Sequence, residues 1–171
     1  AFMVWATIVV VNGAHYLLPS PHEVPLRVIR HSAVLLLVGF ATLVILRNIF
    51  EQHVFRVDDV LGAVCGYLLA AVAWSQLFML IEMFSPGSFS LGPGFGASLD
   101  TWDGRTAVLN YVSLGSLTSV GSGAVVPVHP PATILTTLEA VFGQFYLAVV
   151  VAQLVGARLS QASQRTIPPH A

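Results

Sequence analysis

Four apolar segments, each close to the length that crosses a bilayer, constrain this chain of 171 residues more than any other feature. A spanning helix needs about 20 mostly apolar residues. The segments cover residues 2–18, 31–50, 60–84 and 131–160, and a proline-rich stretch separates the first from the second. Only 9% of the residues are charged, against about 25% in a typical soluble domain. The sequence therefore predicts an all-α membrane protein that crosses the membrane several times.

The chain begins inside its first apolar segment, with no charged region and no cleavage site of the signal-peptide type before it. We therefore expect that the natural N-terminus lies further upstream. The charged residues give only a weak orientation signal, because the seven arginines divide almost evenly between the two sides of the predicted membrane.

Composition and spacing argue against several other classes of protein. All seven basic residues are arginine and the net charge is −1, so the chain lacks the basic stripe that binds nucleic acid. The six histidines share no metal-ligand spacing, and Cys65 is the only cysteine. Val120 stands where a serine hydrolase would need the first glycine of its nucleophile elbow. We expect no enzyme, no cofactor and no metal cofactor site.

A segment of a different kind lies between the third and fourth apolar segments. Residues 85–100 are rich in Gly, Ser and Pro and predict an irregular surface loop. Residues 101–118 are apolar but too short to span, as in a re-entrant helix, and the run SLTSVGSGAVVP follows at 116–127. Irregular backbone at membrane depth is tolerated only where protein buries it or where it lines a water-filled cavity. This order of elements predicts a pore lining.

These residues resemble the potassium-channel-like pore domain, in which an outer helix, a pore helix, a filter and an inner helix follow one another. The resemblance covers about residues 60–160 and is strongest in SLTSVGSGAVVP. It implies a pore domain at residues 59–160, preceded by two N-terminal transmembrane helices within 1–58 and followed by a tail at 161–171. It also implies a homotetramer in a bacterial inner membrane.

By resemblance, one short run forms the filter that binds the permeant ions. Backbone carbonyls replace the hydration shell of the ion there, which requires backbone angles that glycine adopts freely. We expect Gly121 and Gly123 to supply these angles, and Ser119 to add a hydroxyl ligand. Ser122 and Ala124 stand where the family has tyrosine and aspartate. The implied filter residues are Thr118, Ser119, Val120, Gly121, Ser122 and Gly123.

Three further residues are candidates for filter support. Tyr111 stands where the family has an aromatic residue of the pore helix that braces the filter. Glu82 and Glu139 are carboxyls inside apolar helices, where an ionisable residue is by default a functional candidate. Each glutamate either supports the filter or is satisfied near the outer interface by the loop or by Arg105.

The fourth segment holds the candidates for gating. Gly143 is either a bend point of the inner helix or a site of close helix packing. Leu147, Val151 and Val155 recur at helical spacing. They form either a hydrophobic constriction that gates by dewetting or an ordinary packing stripe.

The sequence leads to two hypotheses of function. The first is a tetrameric cation channel that passes K⁺, or K⁺ and Na⁺, down its gradient, with copies of itself and the lipid bilayer as partners. The alternative is a non-conducting, pore-like accessory or scaffold subunit that works with other membrane subunits. The altered filter residues Ser122 and Ala124 motivate the second hypothesis.

Overall fold

A computed structural model describes residues 24–51, 57–96 and 98–165. The first predicted segment, residues 2–18, lies outside the described residues. Within the described ranges the chain forms four helices and two short strands. They are α1 (Val24–Glu51), α2 (Val57–Phe84), β1 (Phe89–Leu91), α3 (Trp102–Leu117), β2 (Val125–Pro127) and α4 (Pro130–Arg165).

Three of these helices are long and apolar enough to cross a membrane. The apolar stretches are Val28–Ile45 in α1, Val60–Phe84 in α2 and Pro130–Gln153 in α4. Each contains at least 18 residues, close to the length needed to cross the hydrocarbon core. The prediction of an all-helical chain with membrane-spanning segments is confirmed at this level.

The start of α1 differs from the prediction. Residue 31 was the predicted start of this apolar segment, whereas the helix begins at Val24. Pro25 lies in the first turn, where proline is tolerated because the missing N–H has no partner within the helix. The proline therefore belongs to the helix and does not delimit it.

The short helix α3 lies between two long ones. It packs against both α2 and α4, whereas α1 packs chiefly along α2. The buried core gathers where α2, α3, α4 and the two strands meet. It consists of Phe78, Met79, Phe89, Val108, Leu109, Val112, Val125 and Ala132.

A two-stranded hairpin closes the segment that contains α3. β1 and β2 are antiparallel, with Phe89 opposite Pro127 and Leu91 opposite Val125. The backbone N–H of Gly92 extends the pairing by donating to the carbonyl of Ala124 at 2.7 Å. The sequence analysis predicted an irregular loop here, because three-residue strands are too short for a periodic signal. The pairing brings residues 89–91 of the predicted loop beside residues 125–127, which follow the predicted filter.

Candidate functional site

The short helix α3 starts with a side-chain cap. The Thr101 hydroxyl accepts a hydrogen bond from the backbone N–H of Gly104 at 3.2 Å, and Asp103 lies in the first turn. Both features stabilise a helix N-terminus, where backbone N–H groups have no partner and the helix dipole is positive. The predicted re-entrant helix at 101–118 is confirmed as a helix at Trp102–Leu117.

The helix ends where the backbone turns left-handed. The N–H of Ser119 donates to the carbonyl of Ser116 at 2.9 Å, and the φ angle of Ser119 is 57°. A left-handed residue just after the last turn is a common way to end a helix, although glycine usually fills this position. The partial negative charge of the helix C-terminus is therefore directed at residues 118–123, which we call the candidate filter.

Glycine is required at two places around the candidate filter. Gly121 has a φ angle of 84°, and its N–H donates to the carbonyl of Gly115 at 2.9 Å. A Cβ atom on Gly115 would lie 2.9 Å from the carbonyl oxygen of Gly121. Gly115 therefore lets the loop fold back onto α3, and Gly121 supplies the turn.

The prediction for the second filter glycine is wrong in this chain. Gly123 is not among the described residues with positive φ, and the left-handed residues of the candidate filter are Ser119 and Gly121. The left-handed pair 119 and 121 thus lies two residues earlier along the loop than the predicted pair 121 and 123.

The hydroxyls of the candidate filter have partners within the chain. The Gln144 amide of α4 donates to the Ser119 hydroxyl at 2.9 Å. The Ser122 hydroxyl donates to the carbonyl of Val125 at 3.0 Å, and the Thr118 hydroxyl donates back to the carbonyl of Leu114 at 2.7 Å. Val120 is 85% exposed, so its side chain finds no cover within one chain.

Glu139 lies behind the candidate filter, at a junction of three helices. Its side chain is fully buried, and its Oε1 atom lies within hydrogen-bonding distance of the Ser113 hydroxyl on α3. The same hydroxyl lies 2.7 Å from the carbonyl oxygen of Ala71 on α2. The expectation that the loop or Arg105 satisfies this carboxyl is wrong for Glu139, because its Oε1 atom contacts Ser113 and its Oε2 atom has no hydrogen-bond partner among the described residues. Glu139 instead links α4 to α3.

Two further contacts hold the C-terminal end of α3. The Tyr67 hydroxyl of α2 donates to the carbonyl of Leu117 at 2.8 Å. Gly143 of α4 packs so closely on the same residue that a Cβ atom would overlap the Leu117 carbonyl oxygen. This contact supports the packing interpretation of Gly143, since a small residue lets two helices approach.

Glu82 holds the outer loop. Its two carboxylate oxygens accept hydrogen bonds from the backbone N–H groups of Gly87 at 2.7 Å and Ser88 at 3.0 Å. The carboxyl is 4% exposed. The prediction that the loop satisfies this carboxyl is confirmed for Glu82, which sits away from the candidate filter and ties the end of α2 to the turn before β1.

Tyr111 contacts the outer loop. Its ring lies near that of Phe95, with the centroids 5.6 Å apart, and its side chain is 41% exposed. The expectation that Tyr111 braces the filter stays a prediction.

The residues predicted to form a gate share a face of α4 with Gln144, which contacts the candidate filter. Gln144, Leu147, Val151 and Val155 are spaced by three or four residues, so they align along the helix. Leu147, Val151 and Val155 are 42%, 57% and 53% exposed. An open groove lies beside this face, lined by Ser119, Ala140, Val141, Gln144, Phe145 and Ala148.

Sequence reasoning missed the residues that anchor the candidate filter from behind. Gln144, Tyr67 and Ser113 are polar side chains inside mostly apolar segments, and that position is the signal that could have singled them out. Intrahelical polar groups in a membrane find partners on neighbouring helices. Their partners could not be deduced, because they depend on how the helices pack.

Among the described residues, no group of three or more histidine, cysteine, aspartate or glutamate side chains could hold a metal ion. Comparison of the chain with protein-family models, with curated proteins and with solved structures found no match.

Proposed function

We propose that four copies of this chain form a cation channel that passes K⁺, or K⁺ and Na⁺, passively down the gradient. Carbonyls within residues 118–123 bind the permeant ion, other than that of Ser122, which accepts a hydrogen bond from the N–H of Val125. The chain belongs with the potassium-channel-like pore domains. One observation carries the proposal: two left-handed residues, Ser119 and Gly121, stand two apart directly after the C-terminal end of α3. Left-handed residues at alternate positions are a feature that a ring of backbone ligands requires.

The electrostatics of the site favour a cation. The C-terminal end of α3 carries a partial negative charge and lies next to the candidate filter. Its last carbonyls are held in place by Tyr67, Thr118 and the turn at Ser119. Fixed dipoles of this kind stabilise a partly dehydrated cation without the cost of a buried carboxylate.

The exposed face of α4 supplies a route below the candidate filter. Gln144 bonds Ser119 at the top of this face, and Leu147, Val151 and Val155 continue it. In the proposed channel this face lines the cavity, and the three apolar side chains form a constriction that closes by dewetting.

The proposal needs several chains, because one chain contributes a single set of carbonyls. A closed cyclic arrangement gives a ring, and four copies fit the proposed pore. Exposed apolar side chains next to the candidate filter support an assembly, namely Val120, Val141 and Phe145. The remaining apolar faces contact lipid, and we place the assembly in a bacterial inner membrane.

Two contacts favour a second candidate function. The Ser122 hydroxyl is used within its own turn, on the carbonyl of Val125, and the Tyr111 ring lies near that of Phe95 in the outer loop. A loop held by these contacts suits a non-conducting accessory or scaffold subunit. A measurement of ion conduction distinguishes the two candidate functions.

Ion flux into liposomes tests the proposal. Purified protein is reconstituted, its subunit number is checked in detergent, and uptake of K⁺, Na⁺ and Cl⁻ is measured separately. We expect uptake of K⁺, with or without Na⁺, and no uptake of Cl⁻. Gly121→Ala is the disabling variant and Gly123→Ala its matched control. Neither added Cβ meets another atom within 4 Å, and only Gly121 has a positive φ.

Loss of flux in Gly121→Ala with retention in Gly123→Ala supports conduction through the turned backbone. Absence of flux from verified tetramers of the unaltered chain contradicts it and favours the scaffold. Equal Cl⁻ and K⁺ uptake contradicts a carbonyl filter.

A further inference from the structure

We propose that Glu139 is a neutral carboxylic acid that donates its proton to Ser113, and that this bond positions the candidate filter by joining α4 to α3. The filter part of this inference rests on the proposed function. The protonation of Glu139 stands on the contacts of the chain itself.

The count of hydrogens at the junction is decisive. The Ser113 hydroxyl has one hydrogen and lies near two acceptors, the carbonyl oxygen of Ala71 at 2.7 Å and the Oε1 atom of Glu139. A backbone carbonyl and an ionised carboxylate only accept hydrogen bonds. One proton can point well at only one of these two acceptors, which leaves the other contact without a well-aligned hydrogen bond. If Oε1 carries a proton, Glu139 donates to Ser113 and Ser113 donates to Ala71, and both contacts are hydrogen bonds.

Burial leads to the same protonation state. Glu139 and Ser113 are both fully buried, and the second carboxyl oxygen, Oε2, is buried without a hydrogen-bond partner among the described residues. A buried carboxylate needs a cation or several donors to offset its desolvation. The hydrogen-bond partner of Glu139 among the described residues is the Ser113 hydroxyl, and the hydroxyl of nearby Tyr67 donates to Leu117. A neutral acid leaves only a carbonyl oxygen unpaired, which is the less costly arrangement.

Glu82 provides the contrast within the same chain. It is also buried, but its two oxygens accept from two backbone N–H groups, those of Gly87 and Ser88. Backbone N–H groups only donate, so both contacts require acceptor oxygens, as in an ionised carboxylate. Two buried glutamates thus face opposite kinds of partner.

The junction fixes the helix that carries the candidate filter. The chain of bonds runs from Glu139 on α4 through Ser113 on α3 to Ala71 on α2. One turn along α4, Gly143 packs on Leu117, the last residue of α3. Glu139 is therefore a positioning residue that acts through Ser113, without touching a permeant ion.

Infrared spectroscopy of the reconstituted full chain tests the protonation directly. An uncharged carboxyl has a carbonyl stretch that is distinct from the bands of a carboxylate. We expect this band near neutral pH in the unaltered protein, its loss in Glu139→Gln and its persistence in Glu82→Gln. Absence of the band, or its persistence in Glu139→Gln, overturns the inference whether or not the protein conducts.

The positioning role is tested with two replacements of opposite character. The amide of Glu139→Gln can still donate to Ser113, whereas Glu139→Leu cannot. We expect K⁺ flux in Glu139→Gln to stay within about twofold of the unaltered protein and to fall roughly tenfold in Glu139→Leu, as for loss of a buried bond. If the unaltered protein does not conduct, the unfolding temperature is measured instead. We then expect Glu139→Gln to unfold near the temperature of the unaltered protein and Glu139→Leu to unfold at a lower one. Equal losses in both variants, or a loss in Glu139→Gln alone, would refute the donor role.

Discussion

The two ends of α3 are held in different ways. At the C-terminal end, the Leu117 carbonyl accepts from Tyr67 and packs against Gly143, and both contacts come from long neighbouring helices. At the N-terminal end, the cap Thr101 is exposed and bonds only its own first turn. The comparison teaches that neighbouring helices hold the backbone at the end that precedes the candidate filter, whereas the cap at the other end is a local one.

The N-terminal end has contacts of its own, which run through buried side chains of α1 and α2. The Trp102 ring lies 5.1 Å from the ring of His31, and the guanidinium of Arg30 lies 4.6 Å from the Trp102 ring centroid. His31 in turn bonds Gln76 at 2.7 Å. These contacts connect α1 with α2 and the start of α3, so the N-terminal helix braces the far end of the short helix.

The largest effect is expected from adding one methyl group at the C-terminal end. In Gly143→Ala the new Cβ overlaps the Leu117 carbonyl oxygen, and neither backbone can yield without moving a helix. We expect a loss of about 3 kcal/mol of stability, at the upper end of overpacking effects, measured by thermal unfolding in detergent.

The matched control is Gly156→Ala on the same helix, where a Cβ meets nothing within 4 Å. This variant should gain up to about 1 kcal/mol from helix propensity. If Gly143→Ala is as stable as the control, the close contact between Gly143 and Leu117 is contradicted.

A smaller effect is expected from removing one hydroxyl at the same end. Tyr67→Phe deletes the donor to the Leu117 carbonyl, and a bond between membrane helices contributes about 1 kcal/mol. Because the bond fixes the last carbonyl of α3, the variant should also change the ratio of K⁺ to Na⁺ flux. Tyr111→Phe is the control, since the Tyr111 side chain is 41% exposed and its ring packs on Phe95 of the outer loop. Equal stability and equal flux ratios in Tyr67→Phe and Tyr111→Phe would mean that the bond to Leu117 contributes to neither property.

The smallest effect is expected at the N-terminal end. Thr101→Ala removes the cap on Gly104, which should cost about 0.5 to 1 kcal/mol because the cap is exposed. Thr101→Ser keeps the hydroxyl and should keep the stability. Neither variant should alter the ratio of K⁺ to Na⁺ flux. A changed ratio in Thr101→Ala would show that the N-terminal cap of α3 affects the candidate filter at its other end.

The sequence allowed the helices to be predicted better than their contacts. The length and apolarity of residues 60–84 were enough to place α2, and the short apolar stretch at 101–118 was enough to place α3, because both depend on local composition. The helix α1 begins seven residues before the predicted apolar segment at 31–50, because a helix can extend beyond its apolar residues. The strands β1 and β2 were missed because their pairing joins residues far apart in the chain.

The site was predictable in its residues but not in its geometry. The run at 116–127 predicted the turn. However, the left-handed φ angle expected at Gly123 occurs at Ser119, whose hydroxyl accepts a hydrogen bond from Gln144. Both glutamates were singled out by their unusual position. Only packing could reveal that Glu82 meets backbone donors whereas Glu139 meets a hydroxyl.

The most direct test of the central claim is a mixing experiment. The unaltered chain and Gly121→Ala are assembled together in known proportions, and K⁺ flux is measured against the fraction of unaltered chains. If four copies share one filter and one altered copy disables it, an equal mixture retains roughly one sixteenth of the flux. Flux that falls only in proportion to the unaltered fraction would contradict a shared filter, since each chain would then act alone.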